Sequence, residues 1–462
     1  MSQSPQFKPP YCDAIDYQKI LDTDTRTPPQ VLRERAEPDL GTGEIPVEHY
    51  TGTDFFKRQI DKVWLRVWQM ACREEEIPNV GDFHVYNIVG KSLIVVRTAP
   101  NDIKAFYNSC LHRGRKLVTH DGCKAQFKCA FHGFTWKNDG TFLENPMAWD
   151  FPQCPADKMR LPEVKVGTWG GFVFINFDPA AKPLESALGV IPRHFERWRA
   201  EDRYTFAHVQ KRVKANWMAC SEAFMESHHA ITTHPQIMPF VTDANAQYDV
   251  FSDHVTRHIS ARGHSSPFVT DRIYTQDEIA EAMLANGGRG RMNIGGNSTK
   301  VPQGTTARAY VADLMRKALE AETGRDHASA SDAELGDSLV YNLFPNFSVW
   351  GGFIPSLVYR WLPDGKAHDS TIMEIRILRQ IPEGAPRPAP AKLRFLGEDE
   401  PWSSAAELGG LGPVVEQDWG NLPYVQEGLE ASGTNTVQLG RYSEMRIRQQ
   451  HLTLEAYMND RI

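Results

Sequence analysis

Two short motifs, Cys110-Leu111-His112 and Cys129-Ala130-Phe131-His132, stand with sixteen residues between them and glycines at Gly114, Gly122 and Gly133 close by. Each pairs one soft thiolate with one imidazole, so the four side chains invite a metal. Zinc is one occupant, but the order C-x-H followed by C-x-x-H differs from that of the common zinc modules. Mixed pairs suit a divided iron site better. A [2Fe-2S] cluster takes Cys110 and Cys129 on one iron and His112 and His132 on the other, and the histidines raise its potential above that of an all-cysteine cluster. Four unrelated residues in turns would have to match spacing, order and flanking glycines by coincidence.

A second group lies in residues 216–235, which contain Glu226, His228, His229, His234 and Pro235. Glu226 and His229 are three apart and share a helix face. His229 and His234 are five apart, about 140° around an ideal helix, so they converge only where the helix bulges or ends between them. Thr232, Thr233 and Pro235 make such a distortion natural. Two histidines and one carboxylate on one face of Fe(II) leave positions open for O2 and substrate. The third ligand must come from elsewhere, and residues 414–429 offer Glu416 and Asp418 near an expected helix start. Taken alone, these histidines read equally as capping or core residues.

Three regions must position these groups. Residues 1–45, rich in Pro, Asp and Arg, read as an arm lying on the domain that follows. Residues 46–178 open with helical spacing at Phe56, Ile60, Val63, Trp64 and Val67, then run through short strands up to about residue 177, an all-β unit. Residues 179–462 mix helices expected near 213–229, 276–284 and 305–323 with strands at 339–343, 357–361 and 373–381, an α+β domain. Residues 286–304, rich in Gly, Asn and Arg, read as a solvated loop or a lid. The charge, 51 Lys+Arg against 58 Asp+Glu or −7 overall, provides no basic field for nucleic acid or an anionic membrane. No apolar run approaches the roughly 18 residues of a spanning helix, and the amino terminus lacks a signal-peptide pattern, so a cytoplasmic protein is expected. Seven scattered cysteines point to reduced thiols or ligands rather than a disulfide framework.

Together the motifs resemble the large (α) subunit of Rieske non-haem iron ring-hydroxylating oxygenases, over nearly the whole chain from about residue 46. The resemblance implies a Rieske β domain followed by a helix-grip (START-like) catalytic domain. It assigns Cys110, His112, Cys129 and His132 to the [2Fe-2S] cluster and His229, His234 and Asp418 to a mononuclear iron, with Glu416 the rival third ligand. Asp418 is preferred because Gln426-Glu-Gly-Leu follows it at the family's distance. Glu226 falls where the family has an acid that links an iron-ligating histidine, here His229, to a cluster histidine, here His132, across subunits of a trimer. Respiratory Rieske proteins carry further cysteines where Arg115 and Phe131 stand, which implies a lower-potential cluster that passes electrons onward. Met218, Ala223, His228 and Glu226 depart from the commonest family residues, and Ala223 widens the space beside the metal.

The implied activity is that of a terminal oxygenase. Without a G-x-G-x-x-G fingerprint, the chain needs electrons from a separate ferredoxin or flavin reductase. An apolar aromatic or polycyclic substrate and cis-dihydroxylation rank first, ahead of monooxygenation by hydroxylation or oxidative N-/O-demethylation. A Rieske electron carrier fused to a ligand-binding domain is the rival of another class. Ala223, Phe224, Phe347 and Trp350 are the expected pocket residues, and a homotrimer, with or without a small β subunit, is the expected assembly.

Overall fold

The computed structural model describes residues 16–244, 246–269, 271–286, 292, 294 and 296–462. It divides into two compact units, Lys57–Ala187 with Asp364–Lys366, and the remainder of the described chain.

The first unit is built from short strands, two of which, Gln69–Arg73 and Phe172–Asn176, are buried at every position. Its seven-stranded antiparallel sheet runs in the order Gln69–Arg73, Phe172–Asn176, Glu163–Trp169, Asp102–Tyr107, Lys91–Ala99, Asp82–Ile88 and Gly122–Cys123. A second sheet holds Gln126–Lys128, Thr135–Lys137 and Phe142–Glu144. Phe83, Ile94, Val96, Phe106, Phe127, Phe134 and Trp136 fill the core beside Cys110 and Cys129. The apolar spacing from Phe56 to Val67 forms the helix Thr53–Gln59 and then a wider π turn, Ile60–Trp64, rather than one helix.

The second unit carries an eight-stranded sheet in the order Gln247–Val250, Val255–Ser260, Ser338–Leu343, Phe347–Trp350, Ser356–Pro363, Thr371–Gln380, Arg203–Val213 and Arg394–Leu396. All neighbours are antiparallel except the last pair. Several of its strands are buried along their whole length, polar residues included. The helix Leu411–Glu430 lies on one face, burying Leu411, Val415, Trp419 and Leu422 among Trp350, Tyr359, Trp361 and Met373. The helices Gln276–Ala285 and Ala307–Thr323 build a second core through Ile279, Met283, Val311 and Met315.

Two expectations change here. The amino-terminal segment, as far as it is described, belongs to the second unit: Tyr17 donates to Asp337 at 3.0 Å, Thr25 to Asp332 at 2.7 Å, and Asp24 pairs with Arg308 at 2.8 Å. Asp24 serves a buried pair, which composition alone did not distinguish from a solvated acid. The helix expected over 213–229 is instead a strand to Val213, the helix Trp217–Glu222 and a run of turns. Asn216 stops the strand and caps the helix, its side chain accepting from the Met218 amide at 2.8 Å. The expected loop at 286–304 falls partly outside the described residues, and near its described end Lys300 binds Asp277 at 2.9 Å.

Candidate metal centres

The two Cys/His motifs form matching loops at strand ends. The Cys110 amide donates to the Arg115 carbonyl at 2.8 Å and the Gly114 amide back to the Cys110 carbonyl at 2.9 Å. The Cys129 loop repeats both bonds, with Phe134 at 2.8 Å and Gly133 at 2.9 Å. Gly114 and Gly133 have φ of +74° and +79°, the left-handed turn that glycine adopts without strain. The loops bring the two thiols into hydrogen-bond contact and the His112 and His132 rings to 4.6 Å between centroids. His112 Nδ1 is buried without a hydrogen-bond partner. An orphaned imidazole nitrogen beside a second histidine and two thiols fits a two-iron cluster, which would satisfy it.

The second centre arises where the chain ceases to be a regular helix. His229 opens the short helix Ala230–Thr233 and His234 closes it with φ −127° and ψ 53°, so the rings meet at 5.1 Å between centroids. Asp418 projects from the long helix Leu411–Glu430, its Oδ1 lying 2.7 Å from His234 Nε2 and 3.5 Å from His229 Nε2. One ligand atom from each of His229, His234 and Asp418 lies within 4.8 Å of the others, a donor set that could hold a metal ion. Glu416, two residues before Asp418, is turned away and accepts from the Trp402 amide. Asp418 sits in the third turn of its helix rather than at its start. The two ligand segments are braced where the Asn216 amide donates to Gln426 Oε1 at 3.0 Å.

Both histidines are oriented by second partners. Glu226 Oε1 lies 2.5 Å from His229 Nδ1, and Gln417 Oε1 lies 2.8 Å from His234 Nδ1. With Nδ1–H donated in each case, Nε2 is left as the ligand atom. Glu226 Oε2 accepts from the His229 amide at 3.1 Å and meets His228 Nδ1 at 2.9 Å. Burial pushes the Glu226 carboxyl up, but the hydrogen bonds from His228 and His229 outweigh it and hold the group below the ordinary glutamate range. Two carboxylates beside two imidazole Nε2 atoms suit a divalent cation.

A small chamber beside this centre, about 80 Å³ in volume, is lined by Ala223, Phe224, Val340, Trp350, Tyr359 and the candidate ligands. Of the residues expected in a pocket, Ala223, Phe224 and Trp350 line this chamber. Phe347 does not line the chamber, because it lies an odd number of strand positions from Trp350 and points to the other face. Tyr359, Ser338 and Gln417 were missed. Ser338 and Val340 are two apart on a strand, a period that does betray a shared face. A wider vestibule shares Ala223, Glu226, His229 and Asp418 with the chamber.

Fold and centres define a two-cofactor iron protein. The chain belongs to the ring-hydroxylating α-subunit family: the catalytic-domain model of that family matches residues 193–460, and that of the Rieske [2Fe-2S] domain matches residues 67–155. Such domains hold a Rieske cluster and a mononuclear non-haem iron. Among curated relatives, the carnitine monooxygenase oxygenase subunit of Escherichia coli (strain K12) is 30% identical over 41% of this chain and 52% of its own. The N,N-dimethyl phenylurea N-demethylase subunit alpha of Sphingobium sp. (strain YBL2) is 26% identical over 70% of this chain and 67% of its own. The chain spans about half the length of the first of these and two thirds of the second. A solved quaternary ammonium Rieske monooxygenase superposes with a TM-score of 0.63 at 17% identity, covering 91% of this chain and 96% of the other, a likeness of fold. Among the described residues no helix is long and apolar enough to cross a membrane.

Proposed function

We propose that this chain is the terminal oxygenase of a Rieske monooxygenase that inserts one oxygen atom into a C–H bond of a small N-methylated substrate. The observation that carries the reading is the convergence of His229, His234 and Asp418 on one point, with both imidazole tautomers set, at the end of a chamber walled by aromatic rings. In this reading Cys110, His112, Cys129 and His132 hold the cluster and His229, His234 and Asp418 the iron. When bound, the cluster supplies single electrons and the iron activates O2. The balance is R–CH3 + O2 + 2 e⁻ + 2 H⁺ → R–CH2OH + H2O, with electrons from a separate ferredoxin or flavin reductase.

The chain's own residues do the rest. Glu226 and Gln417 keep protons on Nδ1 of His229 and His234. Phe224, Trp350 and Tyr359 exclude water and offer ring faces, which attract an alkylammonium group by roughly 0.5–2 kcal/mol. Glu226 and Asp418 add negative charge to the same wall. This replaces the expectation of cis-dihydroxylation of an aromatic or polycyclic compound. The relatives named above are monooxygenases or an N-demethylase. A cytoplasmic setting is part of the same proposal. Turnover under ¹⁸O2 with N-methyl, aromatic and steroid-like compounds tests the proposal: one labelled atom in an N-methyl substrate supports it, and two atoms in an arene overturn it. A trimer, part of the same proposal, is checked by mass photometry.

A further inference from the structure

Next to the vestibule, five side chains that the oxygenase reading does not use form one connected buried chain. The helix Glu48–Thr51 contributes His49 and Tyr50, the helix Trp217–Glu222 ends on Glu222, and the helix Met445–Met458 contributes His451 and Glu455. His49 Nδ1 lies 2.9 Å from His451 Nδ1. His451 Nε2 lies 2.8 Å from the Tyr50 hydroxyl and 2.9 Å from Glu222 Oε1, and that hydroxyl donates to Glu222 Oε2 at 3.0 Å. At the other end His49 Nε2 faces the Glu455 carboxylate at 3.8 Å. His49 and His451 are 5% and 1% exposed, whereas the Glu455 side chain is 38% exposed. Tyr50 and Glu222 reach the vestibule, whose walls include Glu226, His229 and Asp418.

A contact between two Nδ1 atoms couples the tautomers of the rings. Neutral imidazoles place one proton between them, so the ring that donates there presents its Nε2 as an acceptor, and the ring that accepts carries Nε2–H. With His49 donating, a proton arriving at His49 Nε2 from the Glu455 side moves the shared proton onto His451 Nδ1. His451 then releases its Nε2–H to the Glu222 carboxylate. One N–H bond forms and one breaks on each ring, and the net result is a proton carried from the exposed carboxylate to the vestibule. Burial, with His451 adding to it, pushes His49 down to about 3, so the ring is neutral at rest and passes charge without storing it. The charged groups facing this chain are Glu455, Glu222 and Glu444, the last on the vestibule wall with its carboxyl raised by burial.

We propose that Glu455, His49, His451 and Glu222, with Tyr50 as hydroxyl partner of the last two, conduct protons from solvent to the vestibule beside the candidate iron ligands. The proposal rests on the monooxygenase reading for its purpose, the supply of the two protons consumed per oxygen atom inserted, and on the geometry for its path. A purely structural role, tying three helices together, predicts the opposite results below.

His49→Asn keeps an amide near the Nδ1 position but cannot accept a proton and release another. With the cluster spectrum, iron content and KM unchanged, kcat is expected to fall about tenfold, less than the 10²–10⁴-fold of a directly positioned acid because water offers a bypass. The solvent deuterium isotope effect rises, and more electrons end in hydrogen peroxide. Glu455→Gln, at an exposed position that leaves folding intact, changes the same readouts in the same direction by a smaller factor. Unchanged kcat, isotope effect and coupling in both variants overturn the path. A second readout needs no turnover: ¹⁵N-histidine correlation spectra of the iron-free chain report each ring's tautomer. Glu222→Gln is expected to shift both His451 and the more distant His49, and a response confined to His451 overturns the coupling even where no substrate has been found. Absent turnover in the wild-type chain together with coupled rings would count against the monooxygenase reading alone.

Discussion

Substitution of Gln417 by leucine isolates the orientation of one candidate ligand. Gln417 is exposed, and its Oε1 faces His234 Nδ1 at 2.8 Å and accepts from Gln236 at 2.7 Å. Leucine is as good a helix former, so the helix that carries Asp418 is kept. His234 is only 3% exposed, and its Nδ1–H then loses its protein acceptor. A buried donor left unsatisfied costs about 1–3 kcal/mol, and loss of such an orienting partner typically lowers metal affinity about 10–100-fold. Because Gln417 borders solvent, water takes part of its place, and the low end is expected: about tenfold, or about 1.4 kcal/mol. Anaerobic Fe(II) equilibrium dialysis measures it, with the visible cluster spectrum as an internal control. Gln417→Glu retains an acceptor and should hold iron at least as well as the native chain. Gln417→Leu binding Fe(II) as tightly as the native chain, while His234→Ala loses the ion, would refute the role given to the side-chain bond.

Further outcomes follow from the same geometry. His229→Ala and Asp418→Ala each abolish turnover and lower the ratio from about three iron to two sulfide toward two to two, sparing the visible spectrum. Glu416→Gln leaves iron content unchanged, because that carboxylate already serves the Trp402 amide. His112→Ala destroys or alters the cluster spectrum while Fe(II) binding at the second centre survives in the same dialysis. Burial raises the Asp24 carboxyl to about 6 despite Arg308. Its contribution to stability is thus present below the unfolded value near 3.8 and lost as pH rises through 6. Asp24→Asn should therefore remove a decline in melting temperature between pH 4 and 7 when compared with the native chain, and parallel curves would contradict this.

The cluster loops were readable in the sequence because both ligands of each pair, and the glycine that turns the chain back, lie within five consecutive residues. Spacing alone thus fixes much of their geometry. Three strands of the second unit, near 339–343, 357–361 and 373–381, were legible because apolar residues cluster or alternate there, whereas others, such as Arg203–Val213, carry too many polar residues to stand out. Spacing alone did not give the third candidate ligand, which the family resemblance singled out, since Asp418 meets His234 across 184 positions and Glu416 offers the same chemistry on the same helix. Which of two acids two residues apart faces inward is set by helix phase, and that depends on packing of Val415, Trp419 and Leu422. Phe347 shows the same limit in a strand. An aromatic residue next to a pocket strand says nothing of its face until the register, Ser348 opposite Tyr359, is known. The amino-terminal segment misled because buried ion pairs and solvated charges have the same composition.

His228 ties these levels together. On an ideal helix His228 and His229 would point about 100° apart. The chain there is turned rather than helical, and His228 uses its freedom to reach the second oxygen of Glu226. The His228 side chain is 45% exposed and swings away at little cost, whereas His229 is held by both its amide and its ring. The two histidines thus keep Glu226 ionised and hydrogen-bonded at both of its oxygens.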